Sequence, residues 1–260
     1  MRVFTCLKEV ASRETRFQIN EEESWIKSRD LTYEMNECDE YSIEEALRIK
    51  EAHGGEAVIL NIGTPANEKS IRKGLAMGCD RAVQVVDPDG RASSPHAAAT
   101  VLAEVLRQEA FDLILAGTQS DDLSYAQTGV VLAELLGLPH ATIVMEVDAQ
   151  PGKGSIKALR EMESGSFQWV ELPLPALLAI QAGSSQIRYP SLKGIMQARK
   201  KEIRRVDIDE LNIPWAEIPR IDIRRLYMPQ ATRHAEILAG DASTVAKTLV
   251  QKLRAEAKVI

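Results

Sequence analysis

The amino-acid sequence predicts an α/β fold in which helices cover a mostly parallel sheet. Up to about residue 140, short apolar runs of strand length alternate with amphipathic patterns of helix length. Such alternation is typical of βαβ units, whose strands lie parallel in one sheet. Further along the chain, strand-like runs follow one another with only Gly or Pro turns between them. We therefore expect an antiparallel extension of the same sheet.

The predicted strands are short and rich in aliphatic residues. The run at 57–62, for example, lies between Gly54-Gly55 and Gly63, as is typical of a strand that is buried on both faces. The predicted strands lie at residues 2–7, 57–62, 82–86, 113–116, 141–147, 155–160, 167–172 and 176–181.

Capping residues mark the predicted helices. Ser42 followed by Glu45 has the spacing of a capping box, which predicts that the first helix begins near Ser42. Ser94 followed by Pro95 is typical of a helix start, and Gly78 of a helix end. The helical patterns lie at residues 39–50, 71–77, 94–106, 125–136 and 243–257.

Composition excludes several classes of protein. The chain has 38 acidic and 32 basic residues and a formal charge of −6, which disfavours nucleic-acid binding because a phosphate backbone requires a basic surface. No apolar run is long enough to span a bilayer, and the N-terminus lacks the features of a signal peptide. We therefore expect a cytoplasmic protein without direct membrane insertion. Three cysteines with no CxxC spacing predict free thiols, at Cys6, Cys38 and Cys79.

The residues predict neither a metal site nor a catalytic residue. The histidines show no spacing typical of metal ligands, since they are scattered at His53, His96, His140 and His234. The sequence contains no GxSxG motif, so no nucleophile elbow is predicted. No pattern in the chain indicates bond-making chemistry.

The most unusual loop follows the predicted strand at 113–116. It leads small hydroxyl and amide side chains into a helix start, where free backbone N–H groups suit a phosphate. Asp121 and Asp122 could accept hydrogen bonds from ribose hydroxyls. Alternatively, Asp122 or Ser124 only caps the helix, because the loop matches no Walker or GxGxxG pattern. The loop reads Gly117-Thr118-Gln119-Ser120-Asp121-Asp122-Leu123-Ser124-Tyr125-Ala126-Gln127-Thr128-Gly129.

A later stretch, residues 186–201, combines large apolar residues with cations. From Arg188 to Arg205 there are seven basic residues against Glu202 alone, a local charge of +6 in a chain of −6. This combination favours docking to an acidic protein, with charge steering the encounter and apolar residues anchoring it. The alternative is a helix whose C-terminal lysines complement the helix dipole. The apolar residues are Tyr189, Leu192, Ile195 and Met196.

Several segments, in this order and at this spacing, resemble the β subunits of electron-transfer flavoproteins over essentially the whole chain. The resemblance implies a Rossmann-like parallel sheet similar to that of adenine-nucleotide α-hydrolases, with an antiparallel extension and a C-terminal arm. The tail at residues 224–229 is similar to bacterial members. The matching segments are Arg2-Val3 through Lys8, residues 35–46, residues 75–82, the 117–129 loop, Pro175-Ala176-Leu177 and residues 188–196.

The resemblance implies that this chain pairs with an α subunit that holds the redox FAD, and that it binds AMP itself. The implied docking loop is 181–201 with Leu192 as its anchor, and Glu161 would lie near the inter-subunit flavin. The family pattern differs at Glu37-Cys38 and at Pro190. The implied AMP contacts are Cys6, Asn36, Glu37, Cys38, Asp39, Ile62 and residues 117–128; the docking residues are Tyr189, Leu192, Ile195, Met196, Lys200 and Lys201.

We therefore expect an electron-carrier subunit rather than an enzyme. It would accept electrons from flavin dehydrogenases of the acyl-CoA type and pass them toward a membrane quinone reductase. The alternative is an ATP-using enzyme or a nucleotide-binding stress protein of the same fold, and a second, bifurcating FAD in place of AMP stays open. We expect a nucleotide-binding domain at 1–205 and an arm at 206–260 that packs on the α subunit.

Overall fold

A computed structural model describes residues 1–27, 29, 31–219, 221–229 and 235–260 of the chain. The chain divides into two compact units. The first comprises Met1–Gln18 and Lys27–Asp222, and the second comprises Ile19–Ile26 and Ile223–Ile260.

The first unit contains a nine-stranded sheet in the order β11-β5-β4-β1-β6-β10-β7-β8-β9. A separate two-stranded antiparallel sheet is formed by β2 and β3. The strands are β1 (Arg2–Leu7), β2 (Glu9–Ala11), β3 (Tyr33–Met35), β4 (Glu56–Gly63), β5 (Arg81–Val86), β6 (Leu113–Gly117), β7 (His140–Gln150), β8 (Ser155–Glu161), β9 (Phe167–Pro173), β10 (Ala176–Ile180) and β11 (Ile203–Asp207).

Helices cover both faces of the sheet, as the buried strands require. One core cluster joins the sheet to the first two helices, and the other joins it to the next two. Successive residues of β1 face opposite clusters, since Val3 belongs to the first and Phe4 to the second. The helices are α1 (Glu37–His53), α2 (Glu68–Met77), α3 (Pro95–Leu106), α4 (Thr128–Leu136), α5 (Leu192–Ala198) and α6 (Ala242–Lys252).

The predicted antiparallel extension is confirmed for β8 and β9. β7 pairs with β8, and β8 with β9, in antiparallel register. The remaining neighbours in the nine-stranded sheet are parallel, including β10, which lies between β6 and β7. The fold is therefore the mixed α/β class that the sequence predicts.

Two helix starts differ from the sequence-based expectation. α1 begins at Glu37, five residues before Ser42, whose hydroxyl instead donates to the Cys38 carbonyl inside the helix at 3.1 Å. α4 begins at Thr128, after the 117–127 loop has completed its turn. The cap at Ser94 is confirmed, because its side chain accepts a hydrogen bond from the Ala97 N–H.

The first unit extends beyond the predicted boundary after residue 205. β11 pairs with β5, and four apolar side chains after it join the core, namely Ile208, Leu211, Ile213 and Ile218. The Arg91 guanidinium lies 5.3 Å from the ring centre of Trp215 in the same segment. The boundary between the two units therefore falls after Asp222.

The second unit contains α6 and exposes much apolar surface. Asp241 caps α6 by accepting hydrogen bonds from the Ser243 and Thr244 N–H groups. Ile237 is 86% exposed and Leu249 is 46% exposed. In the part of the chain that the structure describes, no helix has the length and apolarity needed to cross a membrane.

Candidate nucleotide site and docking surface

The candidate nucleotide site lies at the carboxyl ends of β1 and β6. β1 pairs in parallel with β4 on one side and with β6 on the other. The chain builds the sheet outward through β4 and β5 and then returns to place β6 beside β1. Such a reversal of strand order opens a crevice at the carboxyl edge, where open α/β sheets bind ligands.

A buried carboxylate joins the two strand ends. Asp39, in the first turn of α1, accepts hydrogen bonds from the Lys8 N–H at 2.8 Å and from the Gly117 N–H at 3.0 Å. Asp39 is 4% exposed. Burial raises the pKa of Asp39 to about 7, although the two backbone donors oppose this rise. The Asp39 carboxyl therefore changes between its protonated and ionised forms near neutral pH.

The two cysteines of the site are not activated nucleophiles. Burial, with the neighbouring Asp39 carboxylate adding to it, raises the pKa of Cys6 to about 12. Burial also raises the pKa of Cys38. Because the thiolate is the reactive form, both side chains act as small packing groups.

Asn36 connects the start of α1 to the loop after β6. Its Nδ2 donates to the Gln119 carbonyl at 2.9 Å, and its Oδ1 accepts from the Asp121 N–H at 2.9 Å. The Asp121 carboxylate accepts in turn from the Glu37 N–H at 3.1 Å. The structure thus brings together the predicted residues of 36–39 and 117–122.

Lys8 neutralises the second aspartate of the loop. Its Nζ lies 2.6 Å from Asp122 Oδ2 and 3.4 Å from the Ser120 hydroxyl. Partial burial works to raise the pKa of Asp122, but hydrogen bonds from Lys8 and Ser120 outweigh it, and the net effect is a lowered pKa. The negative charge of Asp122 is therefore paired with Lys8, a cation that the sequence pattern does not assign to the site.

Gly117 is required by close approach rather than by backbone conformation. A Cβ at this position would lie 2.3 Å from Asp39 Oδ1 and 2.8 Å from the Cys38 Cβ. Neighbouring Thr118 continues the sheet, since its N–H donates to the Ile180 carbonyl at 2.9 Å. Only glycine allows α1 to start this close to the end of β6.

The rest of the loop presents polar groups near the start of α4. Ser124 and Ala126 adopt positive φ angles of 52° and 54°. Both the N–H and the hydroxyl of Ser124 donate to the Ser120 carbonyl, at 2.9 and 3.0 Å. The first turn of α4, from Thr128, leaves N–H groups without helical acceptors, which suits an anion. Leu123, Tyr125 and Gln127 complete the loop.

Two predicted site residues lie further away. Ile62 is half-buried near the end of β4, next to β1. Glu161 ends β8, which β10 and β7 separate from β6. At the usual strand spacing, Glu161 is ~14 Å along the sheet from β6.

Arg188 fastens the segment that the sequence predicts as a docking loop. Its Nε and its backbone N–H donate to Glu44 Oε2 at 2.8 and 3.1 Å, and its guanidinium also binds Glu51. These carboxylates, Glu51 first and then Glu44, raise the pKa of Arg188. Both acids lie on α1, so the loop is attached to the helix that begins at the nucleotide site.

The far end of the segment is fastened to α2. Arg72 donates to the carbonyls of Ala198 and Lys201, each at 2.7 Å. Lys201 Nζ donates to the Leu75 and Cys79 carbonyls, at 2.9 and 2.5 Å. A Cβ on Gly194 would lie 2.4 Å from the Ala76 carbonyl oxygen, so α5 packs directly on α2.

Between these attachments, apolar side chains point into solvent. Tyr189 is 94% exposed, Leu192 is 83% exposed and Met196 is 71% exposed, with Ile195 less so. Lys200 makes no ion pair among the described residues, whereas Lys201 donates to the Leu75 and Cys79 carbonyls. Burial lowers the pKa of Lys201.

No metal site is found among the described residues. No cluster of three or more His, Cys, Asp or Glu side chains with the geometry to bind a metal ion occurs there. His234 lies outside the described residues.

The pKa of Asp39 leads to a prediction about stability. In the unfolded chain this carboxyl loses its proton near pH 3.8, but in the folded chain near pH 7. Between these values the folded state holds more protons, so Asp39 makes the free energy of unfolding fall as pH rises, by at most about 1.4 kcal/mol per unit. Asp39→Asn should remove this slope.

Urea unfolding from pH 5 to pH 8 tests this expectation. The stability advantage of the wild type over Asp39→Asn should shrink up to about pH 7 and then stay constant. Asp112→Asn is a suitable control, because it removes an exposed carboxylate that accepts from the Arg2 N–H at 2.7 Å. A difference between wild type and Asp39→Asn that does not change with pH would contradict the prediction.

Comparisons with known proteins agree with the resemblance seen in the sequence. Residues 25–211 match the family model described as electron transfer flavoprotein domain. The chain is 35% identical over 257 residues to the electron transfer flavoprotein subunit beta of Methylophilus methylotrophus, covering 96% of this chain and 97% of that protein. It is 33% identical to the same subunit of Bacillus subtilis, with both chains fully covered.

A mitochondrial relative is also similar over its whole length. The electron transfer flavoprotein subunit beta of Oryza sativa subsp. indica is 30% identical over 264 residues, again with both chains fully covered. The similarity therefore includes the site, the docking segment and the tail. The chain belongs to the electron transfer flavoprotein family, as a relative of its beta subunits.

Proposed function

We propose that this chain is the β subunit of a cytoplasmic heterodimer that accepts electrons from acyl-CoA dehydrogenases or related flavin dehydrogenases. The heterodimer then passes them toward a membrane quinone reductase. The observation that carries this proposal is the docking surface, where Tyr189 and Leu192 are almost fully exposed yet fastened by Arg188 and Arg72. In this role the chain binds and positions other components and makes no bonds itself.

The first component is AMP, at the carboxyl ends of β1 and β6. A nucleotide can approach the backbone closely there because Gly117 has no side chain. The N–H groups at the start of α4 and the hydroxyl groups of the loop are hydrogen-bond partners for a phosphate. Bound AMP would supply no redox chemistry and would hold α1 and the loop together. The binding residues are Cys6, Asn36, Glu37, Cys38, Asp39, Ile62 and residues 117–128.

The second component is the FAD, which we place mainly in the α subunit. Glu161 is half-buried at the end of β8, and its side chain makes no hydrogen bond or ion pair among the described residues. It is therefore available to the flavin region between the subunits. The FAD carries the electrons, and this chain orients the α subunit that holds it.

The arm that packs on α is the second unit rather than everything after residue 205. Within this unit, Ile237, Tyr227 and Leu249 are exposed. Large apolar side chains left in water favour burial against another protein. We propose that the protein that covers these side chains is the α subunit.

The alternatives from the sequence receive less support. An ATP-using enzyme of this fold would need a glycine-rich phosphate loop after β1, where the chain reads Cys6-Leu7-Lys8-Glu9. A stand-alone nucleotide-binding stress protein would leave the exposed residues of 189–200 and the apolar arm without a purpose.

The nucleotide content of the purified heterodimer distinguishes AMP from a second flavin. Denaturation should release FAD and AMP in equal amounts, because the loop offers one set of hydroxyl, amide and helix N-terminal N–H groups for a single nucleotide. Separation by chromatography with ultraviolet detection measures both. FAD in twofold excess over the heterodimer, with no AMP, would instead indicate a bifurcating subclass.

Leu192 should be the main anchor for the dehydrogenase. Truncating an exposed apolar side chain that enters a partner's pocket costs about 2 kcal/mol of binding free energy. Leu192→Ala should therefore raise the Michaelis constant of the dehydrogenase for the heterodimer about thirtyfold. Flavin content should not change, since the side chain is 83% exposed. Wild-type rates at limiting heterodimer, or loss of FAD, would contradict this role.

The two neighbouring lysines provide a matched comparison at the same surface. Lys200→Ala should lower the rate of association with the dehydrogenase, more at low salt than at high salt. Lys201→Ala should also lower the stability of the chain, because the carbonyls of Leu75 in α2 and of Cys79 just after it lose their donor. Thermal unfolding and stopped-flow association measure the two effects. Equal effects of both variants on association and stability would contradict this division.

Removal of the arm should abolish the heterodimer. A chain cut after Asp222 keeps the core residues Ile208 to Ile218 and also Ile19–Ile26, and it loses the rest of the second unit, Ile223–Ile260. At about 25 cal/mol per Å² of apolar surface, the lost contacts amount to several kcal/mol. Co-purification with tagged α subunit measures the effect. Wild-type recovery of the cut chain with α would show that the arm is dispensable.

A further inference from the structure

A groove separates α2 from the segment that carries the docking residues. It has a volume of about 490 Å³ and lies beside the exposed side chain of Ile195. Its apolar lining is Ala76, Pro190, Ile195 and Ala198, and its charged lining is Glu68, Lys69, Arg72, Lys73 and Arg199.

The unpaired positive charge of the groove lies on two of its four cations. Glu68, its one acidic residue, is paired with Arg72 and Arg205. Lys73 is paired with Glu40. The remaining two cations of the lining, Lys69 and Arg199, are exposed, and neither forms an ion pair within the part of the chain that the structure describes.

The two walls of the groove are fixed relative to each other. Arg72 crosses from α2 to the carbonyls of Ala198 and Lys201, and Lys201 crosses back to α2. Gly194 lets α5 lie against the Ala76 carbonyl. A groove with fixed walls binds a partner at a low ordering cost, because little of it must be immobilised.

The charge on the groove selects its occupant. Unpaired cations on both walls, above a floor that includes an exposed isoleucine, match a segment with carboxylates flanking an apolar side chain. A second copy of this chain would bring the same cations face to face. Leu192 and Met196 lie on α5 with Ile195, which lines the groove, so a protein bound there would lie close to those side chains too.

We propose that the docking surface extends onto α2, and that the groove receives an acidic segment of the protein that delivers electrons to the heterodimer. Lys69 is then a specificity-determining cation outside the docking loop. The inference rests on the proposed function, since it assigns a second contact to the same encounter. It also assigns the partner's surface a chemistry: carboxylates around an apolar residue.

Charge reversal at Lys69 tests the inference in the intact heterodimer. The probe is a purified acyl-CoA dehydrogenase that reduces the wild-type heterodimer, and the readout is the second-order rate constant of flavin reduction at several ionic strengths. Lys69→Glu should lower this constant about fivefold at low salt, with the difference shrinking as salt screens the charges. Lys69→Gln, which removes one charge instead of two, should give an intermediate loss.

Lys153→Glu is the matched control. Lys153 is an exposed lysine in the turn between β7 and β8, across the sheet from α2, and the same charge change there should leave the rate constant unchanged. Equal losses for Lys69→Glu and Lys153→Glu would overturn the inference in favour of a general charge effect. Loss of the heterodimer in Lys69→Glu would also overturn it, by assigning the groove to the α subunit.

The Leu192→Ala variant separates this inference from the proposed function. A normal rate of flavin reduction for Lys69→Glu, together with a slow rate for Leu192→Ala, would overturn the inference about the groove and leave the docking proposal intact. Normal rates for both variants would contradict the docking proposal itself. We expect slow flavin reduction for both variants at low salt. At high salt the loss should disappear for Lys69→Glu and persist for Leu192→Ala.

Discussion

The hydrogen bonds to the buried carboxylate of Asp39 are the interaction on which the carboxyl edge of the sheet depends. One side chain accepts from the backbones of Lys8 and Gly117, so it fixes the ends of β1 and β6 to the first turn of α1. A buried donor that loses its acceptor costs about 1–3 kcal/mol. The identities of Asp39 and Gly117 are therefore coupled. A Cβ on residue 117 would collide with the Asp39 carboxylate, and loss of that carboxylate would leave the Gly117 N–H without its acceptor.

α1 carries this constraint to the docking surface. The helix has 17 residues and is ~25 Å long at 1.5 Å per residue. Asp39 lies in its first turn, and Glu44 and Glu51 bind Arg188 further along. A side chain as exposed as Leu192 can still hold a defined position because the segment that carries it is attached to this helix and to α2. The candidate nucleotide site and the proposed docking surface are thus built on one rigid element.

Sequence patterns predict most of the sheet, since apolar runs that form buried strands are local signals. The Ser94 cap of α3 is predicted for the same reason. The capping pattern at Ser42 predicts a start of α1 that is too late. The true start lies beside Asn36, whose side chain bonds to Gln119 and Asp121, more than 80 residues away, and no local pattern contains such partners. Lys200 and Lys201 are indistinguishable in sequence, yet only the second reaches the carbonyls of α2. The sequence assigns residues from 206 onward to the arm, but Ile213 and Ile218 are buried in the core of the first unit.

The same distinction between paired and unpaired cations supports the proposal that this strongly basic segment takes part in a transient encounter. An electron carrier must associate quickly and also dissociate, so its surface requires long-range attraction without excessive affinity. Arg72 and Arg188 are paired with carboxylates within the chain and contribute shape more than attraction. Lys201 donates to backbone carbonyls, which fix its position without cancelling its charge. Steering is left to cations on this face that have no ion pair among the described residues, namely Lys69, Lys193, Arg199 and Lys200. Their attraction acts at a distance and is screened by salt, whereas the apolar anchor acts only on contact, so encounter rate and lifetime can be set by different side chains.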